Sequence, residues 1–110
     1  MVWADHVAEM TDLACGDRDR LMHAVWRCER VMRDVFAPDK INVASLGNAV
    51  PHLHWHVVAR WRDDLRFPGA VWAPVVAGRE ASAAQRAAQV RARLDALCAA
   101  LATALAAPER

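Results

Sequence analysis

Hydrophobic positions along the first third of the chain repeat with helical spacing. From Asp17 to Phe36 the apolar residues Leu21, Met22, Val25, Trp26, Cys28, Met32, Val35 and Phe36 fall on one stripe, and Arg18, Arg20, Arg27, Arg30 and Arg33 fall largely on other faces. Asp17 and Asp19 sit near the start, where carboxylates complement the helix dipole, and Pro38 lies just past the end. This pattern predicts an amphipathic helix over 17–36 whose arginines form a solvated face. The period then changes. Lys40–Leu46 is short and rich in β-branched residues, and His52–Trp61 alternates with His52, His54, His56 and Val58 on one side and Leu53, Trp55 and Val57 on the other. Two strands are predicted, paired antiparallel through the Gly47–Pro51 turn.

Asp63–Pro74 carries two prolines and a glycine and reads as an irregular loop, in which Asp63 and Asp64 have no evident partner. Beyond it Ser82 is a candidate cap for one final Ala-rich helix, with Val90, Leu94, Leu97, Cys98, Leu101 and Leu105 as a packing or dimer stripe. The elements add up to an α+β fold, divided into residues 1–76 and a C-terminal helical segment, 77–110.

Composition narrows the function by exclusion. The 110 residues suit one domain, and a formal charge of +1 gives no reason to expect nucleic acid or an acidic membrane as partner. No stretch approaches the roughly 18 apolar residues that span a bilayer, and no signal peptide is evident. Cys15, Cys28 and Cys98 are too widely and irregularly spaced for a disulfide framework or a metal clip, and read as free thiols of a reducing cytoplasm. Five Trp residues and no Tyr offer packing bulk without naming a ligand.

The chemistry concentrates in Asn48-Ala49-Val50-Pro51-His52-Leu53-His54-Trp55-His56. Alternate positions on a strand project from one face, so three imidazoles share it, with neighbours about 6.6–6.8 Å apart. Leu53, Trp55 and Val57 mark the opposite face as packed, with Trp55 directed into it. Three readings stand. Surface histidines on an open sheet face are one. Zinc is the second, but the outer two histidines are about 13 Å apart along the strand, too far for one metal to take all three. The third is nucleophilic catalysis at phosphorus: a neutral imidazole nitrogen attacks, flanking rings hold its tautomer and protonate the leaving group, and Gly47 and Asn48 supply phosphate donors. His23, in the middle of the long helix, reads as a boundary residue.

These residues resemble the signature of the histidine-triad (HIT) family. Lys40-Ile41-Asn42, Leu46-Gly47-Asn48 and Val50-Pro51-His52 are similar to the family's bacterial branch often described as diadenosine polyphosphate hydrolase-like. Asp5-His6-Val7 with Met10-Thr11-Asp12-Leu13 resembles the approach to its main helix. The likeness covers roughly Val2 to Trp72. It implies a HIT-like antiparallel sheet packed with a long helix, usually as a homodimer, and hydrolysis or transfer at the α-phosphate of a nucleotide conjugate. No metal or cofactor takes part in the central step. His54 corresponds to the nucleophile, His56 to the residue that contacts phosphate and assists the leaving group, and His52 to one that orients the site. Asn48 stands where the family often has Gln, His6 matches an upstream histidine near the phosphates, and Asn42 matches a supporting asparagine. Family members usually carry two more strands and part of a third ahead of Val2-Trp3-Ala4. The expectation here is two strands and a stub: a truncated copy or, alternatively, a short protein that covers its open edge by dimerising. A binding module without turnover is the rival from another functional class.

Overall fold

The computed structural model describes residues 1–107. A single 3-10 turn, Met10–Asp12, leads into helix α1 (Cys15–Phe36), with Glu9 and Asp12 capping the turn reciprocally. α1 starts two residues earlier than its hydrophobic pattern predicts, because Cys15 and Gly16 add an exposed half turn below the stripe. It buries Leu21, Val25 and Phe36. It ends at Ala37, which adopts the left-handed conformation (φ 45°, ψ 54°) while its N–H closes the helix on the Arg33 carbonyl.

Strands β1 (Lys40–Ser45) and β2 (Trp55–Arg60) pair antiparallel, with Lys40 opposite Arg60 and Ala44 opposite His56. Both are shorter than the alternation predicts. The chain diverges after Ser45, so residues 52–54 have no β1 partner and stay outside the ladder. They are held from the other side instead. Val2 forms an antiparallel bridge to His54, Trp3 N–H donates to the Leu53 carbonyl (3.1 Å), and Trp55 N–H donates to the Met1 carbonyl (2.7 Å). Among the described residues the sheet consists of two strands and the short Val2 bridge.

The alternation that begins ahead of β2, at Leu53, divides two environments. Leu53, 2% exposed, joins Leu13 and Leu21 in the core beside α1, with Trp3, Val7, Met10 and Trp55 packed around them. Trp55 is half-buried and donates its indole N–H to Met10 Sδ (3.4 Å), so it does pack beneath the histidine strand.

The C-terminal segment departs from expectation in two ways. It is not one helix but two, α2 (Glu80–Arg91) and α3 (Leu94–Ala106), broken where Arg93 leaves helical geometry (φ −112°, ψ 5°) and extends its guanidinium to the Val35 carbonyl (2.9 Å) at the end of α1. The expected stripe is therefore divided. Leu97 and Leu101 are half-buried, whereas Leu94 and Leu105 are exposed. Ser82 does not cap the helix either. It lies inside α2, with its hydroxyl within donor distance of the Arg79 (3.0 Å) and Asp63 (3.1 Å) carbonyls. α3 returns along α1, and Arg27 donates to the carbonyls of Ala104 (3.3 Å) and Ala107 (2.7 Å). A cation at a helix C-terminus complements the helix dipole, so Arg27 is an anchor and not part of a solvated face. Among the described residues no helix is long and apolar enough to cross a membrane. Residues 108–110 of the segment assigned to 77–110 lie outside the described residues.

Candidate functional site

The histidines form two pairs joined through the backbone. His54 and His56 lie edge to face with ring centroids 5.0 Å apart. His52 stacks on His6 at 5.3 Å, with their Nδ1 atoms 3.1 Å apart. The link is the backbone of His52, whose carbonyl lies 2.6 Å from His54 Nδ1.

Hydrogen-bond partners assign the tautomers. A carbonyl oxygen can only accept, so His54 Nδ1 carries the proton, and Nε2 of the neutral ring keeps its lone pair. By the same argument His52 Nε2–H donates to the Trp3 carbonyl (2.8 Å). Its Nδ1 is then an acceptor, and His6 Nδ1–H donates to it. The chain of contacts runs from His6 to the side chain of His52 and from the backbone of His52 to His54. Sequence reasoning has flanking imidazoles hold the tautomer of His54; in the structure a main-chain carbonyl holds it. His54 is half-buried and His56 exposed, so both are open to solvent.

Gly47 and Asn48 lie in the connection between the strands. Gly47 has φ +153°, which side-chain-bearing residues rarely adopt. Asn48 is exposed and makes no hydrogen bond among the described residues. Asn42 sits on β1 opposite Val58, on the same sheet face as His56, and its Oδ1 accepts from Arg60 Nη1 (2.9 Å).

Arg60 is the residue the sequence conceals. It is 3% exposed, and four of its five N–H groups are engaged: Nε donates to Asp64 Oδ2 (2.7 Å), Nη2 to Asp64 Oδ1 (3.0 Å) and the Gly69 carbonyl (2.9 Å), and Nη1 to Asn42 (2.9 Å). Asp64 also accepts the backbone N–H groups of Arg66 (2.8 Å) and Phe67 (2.7 Å). Burial by itself pushes the Asp64 carboxyl up; the hydrogen bonds from Arg60, Arg66 and Phe67 outweigh it and hold the group at about 2. Arg60 is raised in turn, chiefly by its hydrogen bond to Asp64. Asp63 pairs with Arg86 (3.2 Å), so both aspartates expected to lack partners have one. The available signal was an arginine ending a strand with an aspartate four residues on.

This hub ties loop 63–76 over the histidine face of the sheet. A pocket of about 130 Å³ results, walled by Asn42, Ala44, His56, Val58, Val71 and Trp72. Among the described residues no group of three or more His, Cys, Asp or Glu is placed to hold a metal ion. Cys28 is half-buried, and burial raises its thiol, so it is no candidate nucleophile.

The family model for the HIT domain matches residues 1–63. Among solved structures, a histidine triad protein from Marinobacter aquaeolei aligns at 33% identity and TM-score 0.60, over 86% of this chain and 70% of that one. A histidine triad protein from Bradyrhizobium japonicum aligns at 31% identity and TM-score 0.61, over 80% and 68%. A third, from Sinorhizobium meliloti, aligns at 28% identity and TM-score 0.58, over 77% and 65%. No protein of curated description matches the chain.

Proposed function

The chain belongs to the HIT domain family, and from that premise we propose that it is a nucleotide hydrolase or nucleotidyltransferase acting at the α-phosphate of a nucleotide conjugate. The observation that carries this reading is the contact between His54 Nδ1 and the His52 carbonyl, 2.6 Å. It leaves Nε2 as the free lone pair of a ring turned to solvent, 5.0 Å from a second imidazole. A ring held that way is ready for attack without a tautomer change.

In the first step His54 Nε2 attacks the α-phosphorus. The P–N bond forms as the bond to the leaving group breaks, and the departing atom takes its electron pair and a proton from His56. In the second step water attacks the same phosphorus and loses a proton to His56. The P–N bond then breaks, returning its pair to His54 and releasing a nucleoside monophosphate. Gly47 and Asn48 supply donors to the phosphate oxygens, His6 and His52 brace the nucleophile through the His52 backbone, and Asn42 supports the face beside His56. The step needs no metal or cofactor. A homodimer in the cytoplasm completes the reading.

The test is AMP release from adenosine 5′-phosphoramidate and from diadenosine tetraphosphate by wild type and His54→Ala, after circular dichroism has established that both are folded. Release by wild type and at least a thousandfold less by His54→Ala is expected. Undiminished release by folded His54→Ala would sink the mechanism. No release by folded wild type would mark the chain as a binding module.

A further inference from the structure

Helix α2 buries none of its residues, although one of its faces is turned to the sheet. The reason lies in the sequence of that face. Ala83, Ala87 and Val90 recur at helical spacing, and the two alanines are too short to close the distance to β2. A cleft of about 470 Å³ is left between helix and strand. Its opposite wall is Val58, Ala59, Arg60 and Trp61. Successive strand residues point to opposite faces, so a space touched by four in a row runs along the strand's edge, and β1 occupies the other edge. Leu65 and Val71 complete the lining from loop 63–76, and none of the histidines takes part.

The lining is apolar in its body and cationic in its charge. Four arginines and one aspartate reach it. Arg60 is paired with Asp64 and Arg86 with Asp63, so neither is left over. Two cations remain. Arg66 has one guanidinium nitrogen bonded among the described residues, Nη1 to the Ala73 carbonyl. Arg91 is exposed and makes no hydrogen bond or ion pair among them. An anion entering the cleft therefore meets donors that lack an acceptor, whereas a cation meets like charge. Val58, Trp61, Leu65 and Val90 are only half-buried and Val71 is exposed, so a hydrocarbon body would cover apolar surface that now faces water.

Shape sets the length of that body. Residues 83–91 of the helix rise about 12 Å, and residues 58–61 of the strand about 10 Å. A saturated chain of about ten carbons spans that distance when extended. The volume also falls within the range of about 300–1,000 Å³ usual for small-molecule pockets. We propose that the cleft between β2 and α2 binds an amphipathic monoanion, an alkyl chain of medium length carrying one carboxylate. The chain lies along the edge of β2 against Ala83, Ala87 and Val90. The carboxylate meets Arg91, the cation without a partner among the described residues, in the field of Arg66. This is a second site, separate from the phosphate chemistry: no bond is made or broken in it, and its occupancy does not require His54.

The experiment is isothermal titration calorimetry of the full chain at pH 7 with decanoate, octanoate and decan-1-ol, in wild type, Ala87→Leu and Arg91→Gln. Each fully buried methylene is worth about a factor of four, so in a cleft open on one side decanoate should bind about tenfold more tightly than octanoate. Without the charged hydrogen bond, decan-1-ol should bind about tenfold more weakly than decanoate. Arg91→Gln should weaken decanoate about threefold, because Arg91 is exposed. Ala87→Leu fills the cleft and should abolish binding with the melting temperature unchanged or raised; Ala83→Leu takes its place if Ala87→Leu does not fold. Undiminished binding by a folded, filled variant overturns the site, as do equal affinities for decanoate and decan-1-ol, or no binding by folded wild type. A wild-type dimer that Ala87→Leu converts to monomer in light scattering overturns it as well, because a second copy then covers the cleft. None of these outcomes depends on turnover at His54, so the site and the transfer reading stand or fall separately.

Discussion

Asp63 and Asp64 are neighbours in the chain, yet removing their charges has very different consequences. Asp64 is 21% exposed and its partner Arg60 only 3%, with contacts of 2.7 and 3.0 Å. Asp64→Asn keeps the volume but turns an amide N–H₂ toward donors that had an acceptor, and leaves a buried cation without its anion. Breaking one side of a buried pair costs about 3–5 kcal/mol, and the partial exposure of Asp64 places this case near the lower figure, about 3. A domain of this size has roughly 5–15 kcal/mol in all. At about 4 °C or more per kcal/mol, the melting temperature should fall by about 12 °C or more. Asp63 pairs with Arg86 at 3.2 Å with 46% and 32% of the side chains exposed, so Asp63→Asn should cost less than about 1 kcal/mol. Equilibrium urea unfolding at pH 7, followed by circular dichroism, measures both. If the two variants fall within about 1 kcal/mol of each other, Arg60 is not the fastening of the loop and the reasoning fails.

The same carboxylate sets an acid limit. Its folded value of about 2 lies below the ordinary 3.8, so its contribution of about 2 kcal/mol is complete above pH 4 and disappears as pH falls toward 2. Urea midpoints between pH 5 and 2 should show that loss in wild type and a shallower one in Asp64→Asn. Trp55→Ala should cost about 2–3 kcal/mol, below the roughly 3–5 typical of a fully buried aromatic, because Trp55 is half-buried; an unchanged melting temperature would contradict its packing beside Leu53. Leu53→Ala, at a site 2% exposed, should cost about 2–5 kcal/mol in the same assay. Ala37→Gly should raise stability by up to about 1 kcal/mol, because glycine relieves the left-handed strain at the end of α1. A loss of stability there would mean that the extra freedom of the unfolded glycine chain wins.

Periodicity carried a good part of this protein. The 3.6-residue spacing of Leu21, Val25 and Phe36 specified α1, and the period of two around Leu53 and Trp55 specified which side of the histidine strand is packed. Spacing also indicated that His54 and His56 share a face, and the residues between Asn42 and His56 carried the resemblance to the family. These features are legible because each follows from backbone geometry repeated over a few residues.

Tertiary structure decided the rest. Loss of the β1 partner after Ser45 took His52–His54 out of the ladder, and the Met1–Trp3 segment then joined them from the other side. The tautomer of His54 depends on a carbonyl 2.6 Å away, a contact that no residue pattern encodes. Arg93 broke the last helix by reaching a carbonyl 58 positions earlier in the chain. Arg60 and Asp64 are only four positions apart, but four residues of extended strand span about 13 Å. They meet because the chain reverses at Trp61–Asp64, where Asp64 N–H bonds the Trp61 carbonyl at 3.0 Å. That reversal carries Trp72 over His56, so the pocket beside His56 depends on how the loop folds back and not on any local repeat.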